Sequence, residues 1–149
     1  MGKVLKFFQL TSRDRQLIVF TALLLSFVRL GFLLFPFPKL KQILHRFGQR
    51  TPSPNPHNLM ALIWAVNAAS NLMPGGVKCL ARALTMDVLM RRQGYLPDLR
   101  LGVLKQADGQ PYFHAWVECQ EQVIIGYLPN LKDFTPLLPT FSIDPQTQQ

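Results

Sequence analysis

The chain has 149 residues, enough for one domain with a single core and too few for two of ordinary size. Lysine and arginine number 16 against 8 aspartate and glutamate, a net charge of +8 that favours anionic partners. The cations are scattered, and no stretch alternates them with aromatics as a base-stacking surface requires, so nucleic acid is not an expected partner. Two cysteines, Cys79 and Cys119, make no disulfide framework and no Cys/His spacing fits zinc; neither a metal nor another cofactor is expected, and the expected compartment is the reducing cytoplasm.

The opening MGKVLKFF carries Lys6 where a myristoylation pattern needs Ser or Thr, and no small-residue cleavage site follows the apolar run, so no export signal is expected. Gln16 to Pro38, QLIVFTALLLSFVRLGFLLFPFP, is the most apolar stretch and about as long as a membrane span. A helix apolar on all sides is buried either in protein or in lipid. Three roles are open for it: a helix packed in protein or docked on a partner, a helix lying on a membrane surface, or a true span. The last is burdened by Arg29, whose charge costs roughly a few kcal/mol in a bilayer. QRTPSPNPH, 49–57, has three prolines at alternate positions and reads as an extended linker. The chain thus divides into a hydrophobic helical lead-in (1–48), a Pro-rich linker (49–57), a domain (58–140) and a flexible tail (141–149).

Asn58 to Leu72, NLMALIWAVNAASNL, has the apolar density of a buried helix with Asn58 as its N-cap, and MPGG stops it. A second helix runs from Cys79 to about Gln93, bounded by Gly76 and Gly94. Leu80, Ala83, Leu84 and Val88 form its inner face, and Asp87 with Arg91 an i,i+4 pair on its wet side. From Leu99 the texture changes to strands: LRLGVL, then YFHAWVEC after the turn ADGQ, then VIIGYL after QEQ. The pattern predicts an α+β fold, a central helix packed on a small antiparallel sheet of three strands, preceded by a hydrophobic N-terminal helix.

Cys79 stands at the first turn of its helix, where unpaired backbone amides and the macrodipole favour thiolate over thiol. Strand alternation sorts HAWVEC into His114, Trp116 and Glu118 on one face and Ala115, Val117 and Cys119 on the other, which assigns Cys119 to the core as a small hydrophobe. A helix-start cysteine with a histidine on a later strand is the arrangement in which imidazole takes the thiol proton and later returns it to a leaving amine. The plainer alternative is a packing thiol and a hydrogen-bonded core histidine. Acyl transfer also needs oxyanion donors: the backbone amide of Cys79 is one candidate, and a side chain from the preceding helix, Asn67 or Asn71, another, though both asparagines equally suit helix-end capping. Trp116 is a candidate wall beside the imidazole.

KCLARAL (78–84), RRQGYLPDLRLGV (91–103), HAWVEC (114–119) and VIIGYLPNLKDFTPL (123–137) resemble, in order and spacing, the transglutaminase-like cysteine peptidases of lasso peptide biosynthesis, the B-type leader peptidases, over about residues 60 to 138. The resemblance implies a papain-like core, Cys79 as nucleophile and His114 as general base and acid. It implies removal of the leader from a ribosomally made precursor peptide, with a separate small leader-recognition protein and a lasso cyclase as partners. The family's aspartate, about a dozen positions beyond the histidine, falls here on Gly126. The candidates to orient the imidazole are then Glu118, roughly 13 Å along the same strand face, Asn130 or Asp133 beyond the last strand, or a backbone carbonyl. Two further readings stay open: a catalytically impaired module that binds and presents the precursor, and a transglutaminase or amidase using the same dyad.

Overall fold

A computed structural model describes residues 9–49 and 57–137. Four helices come first: α1 (Ser12–Leu34), α2 (Phe37–Gly48), α3 (Leu59–Leu72) and α4 (Cys79–Arg92). Strands β1 (Asp98–Lys105), β2 (Pro111–Cys119) and β3 (Gln122–Ile125) follow, then a 3-10 turn (Leu131–Asp133) and a two-residue strand β4 (Thr135–Pro136). All pairings are antiparallel, in the order β3-β2-β1-β4. The α+β architecture agrees with the expectation from sequence, with one strand more: β4 is too short, and its proline too unlike a strand residue, for alternation to mark it.

Helix starts follow local chemistry. The Thr11 hydroxyl accepts from the Asp14 amide, and the Asn58 side-chain oxygen accepts from the Ala61 amide at 2.8 Å, so α3 has the N-cap expected of it. Two prolines, Pro36 and Pro38, follow the end of α1 and open α2. Pro36 is its N-cap and Pro38 sits in its first turn, where a missing N–H costs nothing.

The lead-in is no separate layer. Leu24, Leu25 and Val28 of α1 and Leu40 and Leu44 of α2 share one core with Leu62 and Val66 of α3, with α4, and with Leu99, Ala115, Val117 and Ile125 of the sheet. α4 runs through the middle of it: from Ala83 to Met90 every residue is buried. The Asp87–Arg91 pair therefore does not lie on a wet face. Gly48, at the end of α2, sits so close to α4 that a Cβ there would stand 3.2 Å from Arg91 Cβ. The guanidinium grips both carboxylate oxygens of Asp87, Nε at 3.1 Å and a terminal nitrogen at 3.3 Å, and also donates to the Pro97 carbonyl. Burial pushes the Asp87 carboxyl above its ordinary range, the Arg91 charge and hydrogen bonds opposing it. Burial likewise lowers Lys41 of α2, beside this cluster, to about 8.

VIIGYL is a strand only as far as Ile125, because Gly126 turns the chain at φ +85°. Cys119, expected in the core, is only partly buried and packs against its margin. Between β2 and β3, Gln120 and Glu121 form a two-residue loop with φ of 51° and 65°, a conformation that favours Asn and Gly. Of the segments read from sequence, most of the Pro-rich linker and the whole tail lie outside the described residues.

Two outcomes follow for denaturant melts. Arg91→Leu, which strands a buried carboxylate, lowers stability by about 2 to 3 kcal/mol at neutral pH. Because a raised carboxyl pKa means the native state takes up a proton before the unfolded chain does, that loss shrinks as pH falls through the raised Asp87 value; a pH-independent loss would contradict it. Gln120→Asn with Glu121→Gly raises stability by about 1 kcal/mol by removing the strain of two non-glycine residues at positive φ.

Candidate active site

Cys79 is the first residue of α4, partly buried. Its N-cap, Lys78, makes no side-chain capping bond, and the first backbone bond of the helix is donated by Arg82 to the Lys78 carbonyl at 3.2 Å. The amides of Cys79, Leu80 and Ala81 are thus the orphan donors of a helix start, gathered around the thiol.

One turn on, Arg82 donates to the side-chain oxygen of Asn67 on α3, which ties the two helices beside Cys79. Asn67 is therefore engaged with a cation, and Arg82 Nε is buried without a hydrogen-bond partner. Asn71 is exposed near the end of α3, where the C-cap is Met73. Sequence reasoning passed over Arg82, although its spacing of three from Cys79 on a helix places it on the same face.

His114 lies on β2 opposite Gly102 of β1. Neighbours two residues away on the same strand face sandwich it: the Tyr112 and His114 ring centroids are 6.4 Å apart with planes 12° from parallel, and His114 and Trp116 are 6.1 Å apart at 16°. Phe134, from the turn after the 3-10 helix, leans over all three, 5.7 Å from the imidazole. Gly102 makes this possible, since a Cβ there would stand 2.9 Å from Phe134 Cβ and 3.1 Å from the Trp116 ring. The imidazole is left 8% exposed. Trp116, the candidate wall, stacks beside the imidazole, and Tyr112 and Phe134, which were not foreseen, stand on its other sides. Alternation could have found Tyr112; nothing in the sequence marks Phe134.

The imidazole Nε2 lies 2.7 Å from the carbonyl oxygen of Gly126. A carbonyl only accepts, so Nε2 carries the proton, and the neutral ring has its lone pair on Nδ1, which is buried and has no partner. Gly126 is the residue in the slot where the resemblance places an aspartate. Its positive φ is one reason no other residue stands there. The second is space: a Cβ would meet the Ala115 carbonyl at 2.8 Å and Trp116 Cβ at 2.9 Å. The chain passes so closely over β2 that its own carbonyl reaches the ring.

The other orienting candidates are placed elsewhere. Glu118 accepts from the Trp116 indole N–H at 2.8 Å and faces Arg100 at 3.6 Å, so it holds the tryptophan rather than the imidazole. Asn130 and Asp133 are exposed, on the turn leading to Phe134, and neither bonds His114. Cys79 and His114 stand on elements that pack together, α4 against β2. Among the described residues no hydrogen bond joins thiol to ring. Nor do three or more His, Cys, Asp or Glu side chains gather there as a metal would need.

A scan against protein families matches residues 22–139 to the Transglutaminase-like superfamily, a span that takes in most of α1 as well as the sheet. Searches of curated proteins and of solved structures find no match. With a helix-start cysteine, a strand histidine and a match over most of its length, the chain belongs to the transglutaminase-like superfamily.

Proposed function

We propose that this protein is a cysteine peptidase that removes the leader from a ribosomally made lasso peptide precursor, with Cys79 as nucleophile and His114 as general base and acid. The single observation that carries the chemistry is the state of the imidazole. Gly126 fixes Nε2 as the protonated nitrogen and leaves a buried lone pair on Nδ1 with nothing to accept. Such an orphaned acceptor is costly in a fold unless it has work to do. A thiol proton is a suitable partner for it, and apo dyads are often open until substrate draws them together. The superfamily includes cysteine peptidases and transferases, and the order of motifs through KCLARAL, HAWVEC and VIIGYLPNLKDF supports the leader-peptidase branch.

In the mechanism, Nδ1 takes the Cys79 proton as sulfur attacks the scissile carbonyl, forming the C–S bond. The open amides of the first turn of α4 receive the oxyanion. His114 returns the proton to the leaving amine as the C–N bond breaks, and water, deprotonated by the same nitrogen, hydrolyses the thioester. The Gly126 carbonyl holds the ring in one tautomer throughout without becoming charged. A small leader-recognition protein delivers the precursor and a cyclase takes the product.

A second reading has an observation in its favour: a carbonyl stands where the family has a carboxylate, and thiol and ring are not hydrogen-bonded. In that reading the domain binds and presents the precursor without cutting it.

Cys79→Ala, with its melting curve retained, and His114→Ala should each lower cleavage of the precursor, assayed with its recognition partner, by about a thousandfold or more. Iodoacetamide labelling at neutral pH should be much faster at Cys79 than at Cys119, and should fall toward the Cys119 rate in His114→Ala. Full cleavage by Cys79→Ala would remove the nucleophile assignment, and equal labelling of the two thiols would favour the presenting module. Amine capture in place of hydrolysis would turn the assignment to acyl transfer. Nitrogen-15 NMR should show His114 in its neutral form protonated at Nε2, and Gly126→Ala should lose at least about 2 kcal/mol of stability together with that tautomer preference; an Nδ1-protonated ring would refute the carbonyl's role.

A further inference from the structure

The outer face of α1 is unpartnered. Its inner residues Leu24, Leu25 and Val28 lie in the core, yet Val19, Leu23, Phe27, Leu30 and Leu34 point outward, Leu23 and Leu34 with 66% and 64% of their surface open to solvent. Spacings of four, four, three and four put these five on one stripe roughly 22 Å long. Soluble surfaces seldom expose so continuous an apolar patch without a use for it. A shallow depression of about 560 Å³ marks its N-terminal end, where Arg15 and Gln16 line the same hollow as Val19 and Leu23. At the far end Lys39 stands exposed with its Nζ 5.6 Å from the centre of the Phe35 ring.

Charge identifies the occupant. Residues 1–86, which include α1, α2 and α3, hold 11 of the lysines and arginines and one acidic residue, Asp14, whereas residues 87–149 hold 5 and 7. The excess of positive charge therefore lies in the part of the sequence that contains the apolar stripe; among the described residues, 9–86 hold eight lysines and arginines against one acidic residue, and 87–137 hold five against six. An apolar stripe with cations at both ends is the pattern of a helix lying in a headgroup layer, where acyl chains take the apolar face and anionic phosphates the cations. A span is incompatible with the packing, because the opposite face of α1 is held in the same core as α4.

We infer that α1 docks this protein flat on an anionic lipid bilayer, its outer stripe buried at the headgroup–acyl boundary. The inference rests on burial and charge alone and is independent of the chemistry assigned to Cys79. It is tested by flotation of the full chain with vesicles of phosphatidylcholine and of an equal mixture of phosphatidylcholine and phosphatidylglycerol. The chain should float with the mixed vesicles, bind neutral ones at least about tenfold more weakly, and be released by high salt. Leu23→Gln with Leu30→Gln, both outside the core, should weaken binding by about tenfold or more with an unchanged melting curve. Arg15→Gln with Lys39→Gln should weaken binding only to the mixed vesicles. The inference is overturned if the chain stays with the soluble fraction in every mixture, if the leucine variants float as well as the parent, or if sedimentation shows the stripe buried between two copies in a dimer that ignores vesicles.

Discussion

Burial of α4 on nearly every side is the constraint from which the rest of the molecule follows. Between Ala81 and Met90 only Arg82 escapes burial, so the helix can meet water, substrate or charged partners only at its two ends. Its polar interior residues are satisfied locally: the Thr85 hydroxyl donates to the Ala81 carbonyl and Asp87 is gripped by Arg91. At the C-terminal end the open polarity is used for cohesion, where Arg91 fastens the helix to the Pro97 carbonyl and so to the entry of the sheet. At the N-terminal end it is left uncommitted, and that is where Cys79 stands.

The histidine is held by different means. A carboxylate partner would orient an imidazole and also stabilise its charged form, whereas the Gly126 carbonyl supplies a dipole and no net charge. Orientation is thereby separated from charge compensation. The surrounding rings compound this, since Tyr112, Trp116 and Phe134 exclude water while contributing only the weak negative faces of their π systems. Glu118 is the nearest carboxylate along the strand face, and it acts on the indole of Trp116, which makes the wall rigid without touching the ring it screens.

Much of this was legible in the sequence because it rests on local patterns. Asn58 as a cap, the helix opening at Cys79, the turn ADGQ and the two faces of HAWVEC all follow from residues within one turn or one strand. What escaped depends on contacts between distant segments. The spacing of Asp87 and Arg91 gave the ion pair but not its burial, which is imposed by α2 from some forty residues away. The replacement of a side-chain carboxylate by a backbone carbonyl at Gly126 left no trace in residue types, because a glycine reads as an absence. Phe134 over the imidazole depends on a turn with no periodic signal, and the merging of the lead-in with the core depends on how α1 and α2 fold back.

The strand that holds Phe134 in place is the slightest element of the sheet. β4 meets β1 at two positions, opposite Gly102 and Val103, and one of its two residues is a proline with no N–H to give. A single further backbone bond, from Leu137 to the Leu101 carbonyl, extends the pairing. Segments so lightly tied open at a small fraction of the free energy needed to unfold a core. The helices and strands β1 to β3 can therefore stay intact while the aromatic cover over His114 lifts, so that the ring's access to solvent is set by a local equilibrium and not by the stability of the domain.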